Sequence, residues 1–470
     1  MSSLNRTVYR QNITGAQMAQ NHHGLKVTAL SPEAKLTRLT MAHMLWEKQF
    51  YVDGQKSADL MAYLVTKVSP SFVSTLAHQA RDQFKLRHVP LHLMRSLAKS
   101  GALKAADLAE VIQRPDELAE FLSIYWNKTE TVQKTVPGFR AMDKPYQKEV
   151  TTTTFKKEPL SNQVKKGLAL AFGKFNEYQL AKWDKNSAAV SLRDVMFLTH
   201  PKPANAAQAE LFKKVADQKL ETPDTWETEL SAGAAKKDTF ERLMSERKLG
   251  ALAFLRNLRN MEQSGVSEAA IRAYGATLNT ERVLPFRFIA AARIVPKYED
   301  MLEQMMFKCL EKHEKLPGKT LLLVDCSGSM FGTKVSAKSD LDRFDAAAAL
   351  AVLCREICEN VEIFGFANNA VRVPNRRGFA LVDAIRKSTN GGTNLGQALA
   401  TANREVGNYD RVIVFTDEAS STKPAKLVGA RGYILNVAAY ENGLNMDDFI
   451  TISGFSEASL DYIQMFEKTS

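Results

Sequence analysis

The run "TLLLVDCSGSM", residues 320–330, constrains the fold more than any other stretch of this chain. Four consecutive apolar residues, Leu321 to Val324, leave no polar face, as in a strand buried on both sides within a parallel sheet. The run then stops at Asp325 and places hydroxyls at alternate positions, Ser327 and Ser329. Further apolar strands read at 361–367 ("VEIFGFA"), 410–418 ("DRVIVFTDE") and 432–440 ("GYILNVAAY"). Between them lie helical patterns: "SDLDRFDAAAALAVLCREI", "GFALVDAIRK" and "NLGQALATANREV". This alternation predicts a Rossmann-like, doubly wound parallel sheet over residues 317–470. In such sheets ligands sit beyond the carboxyl ends of the strands. Asp325 and Asp417 each follow an apolar strand directly and so belong to that rim. The glycine-rich "NGGTNLG" (390–396) adds Thr393 ahead of a helix.

Two carboxylates and three hydroxyls at one rim make an oxygen-only donor set. Hard cations such as Mg²⁺, Mn²⁺ or Ca²⁺ prefer it, Mg²⁺ first. Hydroxyls neutralise such an ion poorly, which leaves it open to a carboxylate from outside. Other readings fit less well. A P-loop needs a GK[ST] triplet, which "DCSGSM" lacks. An aspartyl nucleophile needs a second carboxylate at position 327, where Ser327 stands. The bland alternative is an Asx or Ser/Thr turn closing the strand.

Residues 1–316 read differently. The apolar spacing from about residue 31 to 315 is helical, and strand signals are few. "SPEAKLTRLTMAHMLWEKQF" opens with Ser31 as N-cap, Pro32 at the first helical position and Glu33 in the first turn. More than a dozen similar blocks follow, most separated by Pro, Gly, Asp or Ser. Paired amphipathic helices of this length predict a HEAT-type solenoid, although no strict period is visible.

Charge divides at the same point. The 470-residue chain has a net charge of +11. From residue 317 on, 16 Lys and Arg face 18 Asp and Glu; the residues before carry 47 bases and 34 acids. A basic half beside a near-neutral one suggests a polyanionic partner for the first. No apolar run reaches the roughly 18 residues of a membrane span, and the N-terminus lacks the apolar core of a secretion signal. Cys309, Cys326, Cys354 and Cys358 form no CxxC pair. A reducing, cytoplasmic setting is therefore expected. Cys354 and Cys358 read as small apolar side chains on one helix face.

The basic half also mixes charge with aromatics. "KKGLALAFGKFNEYQLAKWDK" holds Lys165, Lys166, Lys174, Lys182 and Lys185 among Phe172, Phe175, Tyr178 and Trp183. Bases plus rings suit phosphate contact with stacking, while Phe172 and Phe175 also suit a core. "SLRDVMFLTHPKP" supplies Arg193, ends a helix at His200 and places Lys202 just beyond Pro201. Further candidates are Arg87, Arg256, Arg259, Arg287 and Arg293. Arg87 has the competing role of an ion pair between repeats.

The order Asp325-x-Ser327-x-Ser329, then Thr393, then Asp417 resembles the metal-ion-dependent adhesion site (MIDAS) of von Willebrand A domains. The resemblance implies that both serines contact the metal, Thr393 directly or through water, and the aspartates often through water. In the basic half, residues 80–99, 160–203 and 248–266 resemble the TROVE module of the Ro autoantigen family. A TROVE module followed by an A domain is that family's architecture. The resemblance implies a ring of HEAT-like repeats closed by the A domain. It further implies Y RNA or similar structured noncoding RNA on the outer face and single-stranded 3′ ends in the hole. It assigns Y RNA contact to Lys182 and His200. The expected function is a non-catalytic, monomeric ribonucleoprotein scaffold for RNA quality control, working with a 3′-exoribonuclease of the polynucleotide phosphorylase type. The competing class is an adhesion-type scaffold that binds protein through the metal. An enzyme ranks below both, because no nucleophile–base pairing and no two-metal carboxylate cluster is evident.

Overall fold

The structure, a computed structural model, describes residues 18–20, 26–28, 31–41, 54–82, 86–126, 129–139, 145–155, 158–184, 190–281, 283, 286–311, 314–334, 341–417, 420–424, 427, 430–437, 449–453, 459–460, 463–464 and 467. Contacts gather the chain into two compact units. One comprises Pro70–Arg81 and Arg87–Pro223; the other comprises Met1–Ser69, Asp82–Leu86 and Asp224–Ser470.

The chain opens with a short antiparallel pair, β1 (Met18–Gln20) and β2 (Lys26–Thr28), then α1 (Pro32–Met41) and α2 (Gly54–Val65). These elements belong to the second unit. Ser31 caps α1 as its sequence implies, its hydroxyl accepting from the Ala34 amide at 3.1 Å.

Short helices build the unit that follows: α3 (Pro70–Asp82), α4 (His88–Lys99), α5 (Ala105–Val111), α6 (Pro115–Trp126), α7 (Asn162–Phe172), α8 (Glu177–Trp183), α9 (Leu192–Thr199) and α10 (Ala206–Ala216). Helix α7 shows why they stack. Val164, Gly167, Leu168, Ala171 and Phe172 fall at the spacing of one helix face, and all are buried. At Gly167 the backbones of α5 and α7 come so close that a Cβ there would lie 2.9 Å from the Ala105 carbonyl. Glycine is therefore required by packing at this position. Between α6 and α7 the chain forms a long antiparallel hairpin, β3 (Thr129–Phe139) with β4 (Pro145–Phe155). The sequence reading expected few strands here. The β-branched run "EVTTTT" accounts for the difference, since such residues favour extended backbone over helix.

The second unit continues with α11 (Trp226–Ser231), α12 (Lys236–Ser245), α13 (Ala251–Gln263), α14 (Glu268–Thr277), α15 (Phe286–Ile294) and α16 (Glu299–Leu310). It then adds the α/β domain, made of β5 (Leu316–Asp325), α17 (Arg343–Ile357), β6 (Cys358–Phe366), β7 (Ala370–Arg372), α18 (Gly378–Arg386), α19 (Leu395–Val406), β8 (Arg411–Thr416), β9 (Arg431–Asn436) and β10 (Phe449–Ser453). The strand order is β10-β9-β8-β5-β6-β7. All neighbours are parallel except β6 and β7, where the short turn after Phe366 folds the chain back antiparallel at the sheet edge. β5 is central, which explains its unbroken apolar run: Leu321 to Val324 are fully buried. Helix α1 packs on the other edge, β10, and covers it. Helix α17 is apolar and alanine-rich because it is buried nearly all round, with the sheet on one side and α15, α16 and α18 on the others.

Candidate functional site

Three loops meet at the carboxyl rim of the sheet. Asp325 closes β5, and its Oδ1 accepts from the Ser327 amide at 2.8 Å. Its Oδ2 accepts from the Thr416 hydroxyl at 2.6 Å, at the end of the adjacent strand β8. The chain then turns through a 3-10 segment, Gly328–Met330. The Gly328 amide donates to the Gly391 carbonyl at 2.9 Å, bringing the 390–396 loop against the serines. Gly391 has φ +129°, and a Cβ there would meet the Asn368 side-chain nitrogen at 2.7 Å, so the loop requires glycine. Thr393 is fixed through its carbonyl, which accepts from the Ser421 amide at 3.1 Å and its hydroxyl at 2.9 Å. Asn394 and Thr422 join the same loops side chain to side chain at 2.6 Å.

Asp325, Ser327 and Ser329 are thus drawn together with the backbone of Thr393, and Asp417 follows Thr416 at the same rim. The Ser327 and Ser329 hydroxyls stand 3.3 Å apart. Asp325 and Asp417 are fully buried. Burial, and after it the nearby charge of Asp417, push the Asp325 carboxyl up. Two buried carboxylates with facing hydroxyls suit a hard cation by the chemistry of the donor set. Among the described residues no group of three or more His, Cys, Asp or Glu side chains offers a metal cage. An ion held here would therefore find at most the two carboxylates and would draw its remaining oxygens from hydroxyls and water. Cys326, between the ligand candidates, is buried, and burial pushes its thiol up to about 12. That state is unsuited to nucleophilic attack.

Two partners escaped the sequence reading. Thr416 adjoins Asp417 in "FTDE" and had a local signal. Arg343 had none: it is buried at the start of α17 and pairs with Asp417, Nη1 to Oδ2 at 3.3 Å. Its fixed positive charge offsets part of the buried negative charge of the site.

The basic candidates separate into groups. Lys165 and Lys166 on α7, Lys182 on α8, Arg193 on α9, His200 and Lys202 are all exposed. His200 ends α9 in the left-handed conformation (φ 50°, ψ 59°), its amide donating to the Met196 carbonyl at 2.9 Å. That backbone is uncommon for a residue with a Cβ, and it leaves the imidazole at the surface. Lys185 lies outside the described residues. Arg256 and Arg259 are exposed on α13, three apart and so on one side of the helix. Arg287 is exposed on α15 against the Phe286 ring, 5.0 Å from its centroid.

Two candidates need correction. Arg87 is engaged by the acidic start of α6: its Nη2 pairs with Asp116 and with Glu120 at 2.9 Å, and its Nε lies 3.5 Å from Glu117. Its charge serves helix packing through these ion pairs. Arg293 is held by Asp345 at 2.6 Å, a carboxylate that also binds Arg386 at 2.7 Å. It ties α15 to α17. Lys174 is likewise structural, its ammonium donating to the Ala109 and Ile112 carbonyls at the end of α5. Phe172 and Phe175 are core, and Trp183 lies beneath the Arg114 guanidinium, 3.8 Å from the ring centroid.

The fold and its rim define a protein with a module of stacked helices followed by a von Willebrand A-type α/β domain. Comparison with known proteins agrees. Residues 214–317 match the TROVE domain family and residues 319–431 the Ro60 vWA domain family. Over those residues the chain is similar to the TROVE and Ro60 vWA domain families. Its fold is similar to the crystal structure of the Deinococcus radiodurans RO (RSR) protein, with TM-score 0.62 and 20% identity over 93% of this chain and 99% of that one. Telomerase protein component 1 of Mus musculus is 33% identical over 111 residues, and its Rattus norvegicus counterpart 32%. Those matches cover 22% of this chain and only 4% of each relative's length. Arg256, Arg259, Arg287 and Arg293 fall within the matched TROVE residues; Lys165 to Lys202 and Arg87 precede them.

Proposed function

We propose that this Ro-like protein is a non-catalytic RNA-binding scaffold that takes structured noncoding RNA of the Y RNA kind on its helical module. One observation carries the reading. Lys165, Lys166, Lys182, Arg193, His200 and Lys202 stand exposed on three successive helices and the segment after them, while two neighbouring carboxylates are engaged elsewhere. Glu177 pairs with Lys214 at 2.8 Å, and Asp194 is taken up by the Ser191 cap of α9 at 2.7 Å. The remaining field is positive and suits phosphate. Arg256, Arg259 and Arg287 are the bases offered to single-stranded RNA ends. In the A domain, Asp325, Ser327, Ser329, Thr393 and Asp417 would hold Mg²⁺, whose open position would accept a carboxylate of a protein partner. A 3′-exoribonuclease directed to bound RNA is such a partner and would make the assembly an RNA quality-control particle.

The test is RNA binding by Lys182→Ala combined with His200→Ser. Each lost charged contact should cost about 1–3 kcal/mol, and the salt dependence of binding should flatten. Unchanged affinity at about 0.15 M salt, in a variant with a normal melting temperature, refutes the assignment.

A further inference from the structure

Seven large apolar side chains are strongly exposed among the described residues, and three of them fall within 28 residues: Leu170 at 59%, Tyr178 at 53% and Phe197 at 52%. They lie on three successive helices, α7, α8 and α9. Each has an exposed base four positions away: Lys166 with Leu170, Lys182 with Tyr178, Arg193 with Phe197. Four residues apart on a helix is one turn, so base and apolar group share a side. In two cases the geometry is explicit. The Lys182 ammonium is 6.0 Å from the Tyr178 ring centroid, and the Arg193 guanidinium is 5.5 Å from that of Phe197.

Folding does not explain these rings. Their neighbours Phe172, Phe175, Leu180 and Val195 supply the core and are buried. An exposed ring beside a cation is the combination that holds an unpaired nucleotide, the ring stacking on the base while the cation meets the phosphate. A double helix keeps its bases stacked on one another and offers only phosphate to such a surface. We propose that Tyr178 and Phe197 are stacking positions for unpaired bases, with Leu170 as a further apolar contact. These positions would then select RNA with unpaired segments over a perfect duplex. The inference rests on the RNA-binding reading above and adds the class of RNA the surface prefers. The cations alone would suit any polyanion; discrimination of unpaired from paired bases is what marks RNA as the ligand.

The full chain is titrated with an oligoadenylate, a blunt RNA hairpin and phosphatidylglycerol vesicles, as wild type, Tyr178→Ala, Phe197→Ala and Phe197→Trp. Each alanine variant should bind the oligoadenylate about tenfold more weakly and the hairpin as wild type does. Phe197→Trp should bind the oligoadenylate at least as well as wild type, and its added tryptophan emission should be quenched by that RNA. Melting temperatures should match, because neither ring is in the core. Wild-type affinity for the oligoadenylate in both alanine variants overturns the inference. So does an equal loss for both RNAs, which would make the rings structural. An effect confined to phosphatidylglycerol vesicles would reassign the patch to a membrane surface. If wild type binds neither RNA, the underlying reading fails with it.

Discussion

Replacing Glu117 by Ala should unfold the helical unit at markedly lower temperature without touching any exposed base. The carboxylate is fully buried. It receives both its main partner and the start of its own helix: Arg81 Nη2 donates to its two oxygens at 2.8 and 2.9 Å, and the Gln113 and Arg114 amides donate to Oε2 at 2.9 and 3.1 Å. Burial pushes this carboxyl up, and the Arg81 guanidinium draws it back. Alanine removes four accepted hydrogen bonds and leaves Arg81, itself buried, without that carboxylate. Breaking a buried pair in this way costs about 3–5 kcal/mol. For a unit of this size that corresponds to about a 10 °C fall in melting temperature. The assay is thermal and urea unfolding of wild type, Glu117→Ala and the double variant Arg81→Met/Glu117→Leu. The double variant should recover most of the loss, because it removes both charges and keeps the volume. A Glu117→Ala cost below about 1 kcal/mol, or a double variant less stable than the single one, would refute the argument that uncompensated buried charge dominates.

Gly167→Val should lower stability by about 1–3 kcal/mol through overpacking, since a Cβ there already meets Leu108 at 3.0 Å; chemical unfolding measures it. Ser329→Ala should weaken Mg²⁺ or Mn²⁺ binding in calorimetry while leaving β5 and RNA affinity intact, because Ser329 lies past the strand end. Equal metal affinity in the two proteins would remove Ser329 from the ligand set.

Much of the molecule is legible in its sequence. The buried central strand, the two rim aspartates and the helix faces follow from local patterns, because burial on one or both sides dictates which residues recur at period two or 3.6. The Ser31 cap and the close of α9 at His200 are equally local. What the sequence could not supply is the far partner of each charge. Arg343 reaches Asp417 across 74 positions, Thr416 reaches Asp325 across 91, and Arg293 reaches Asp345 across 52. No periodicity links such residues; only the packing of α15 and α17 and the adjacency of β8 and β5 bring them together. The same holds for Arg87, whose competing roles look alike in the chain and separate once α6 presents Asp116 and Glu120 to it. A charge declares its type in the sequence, but its function is set by whether tertiary structure places a counter-charge or water beside it.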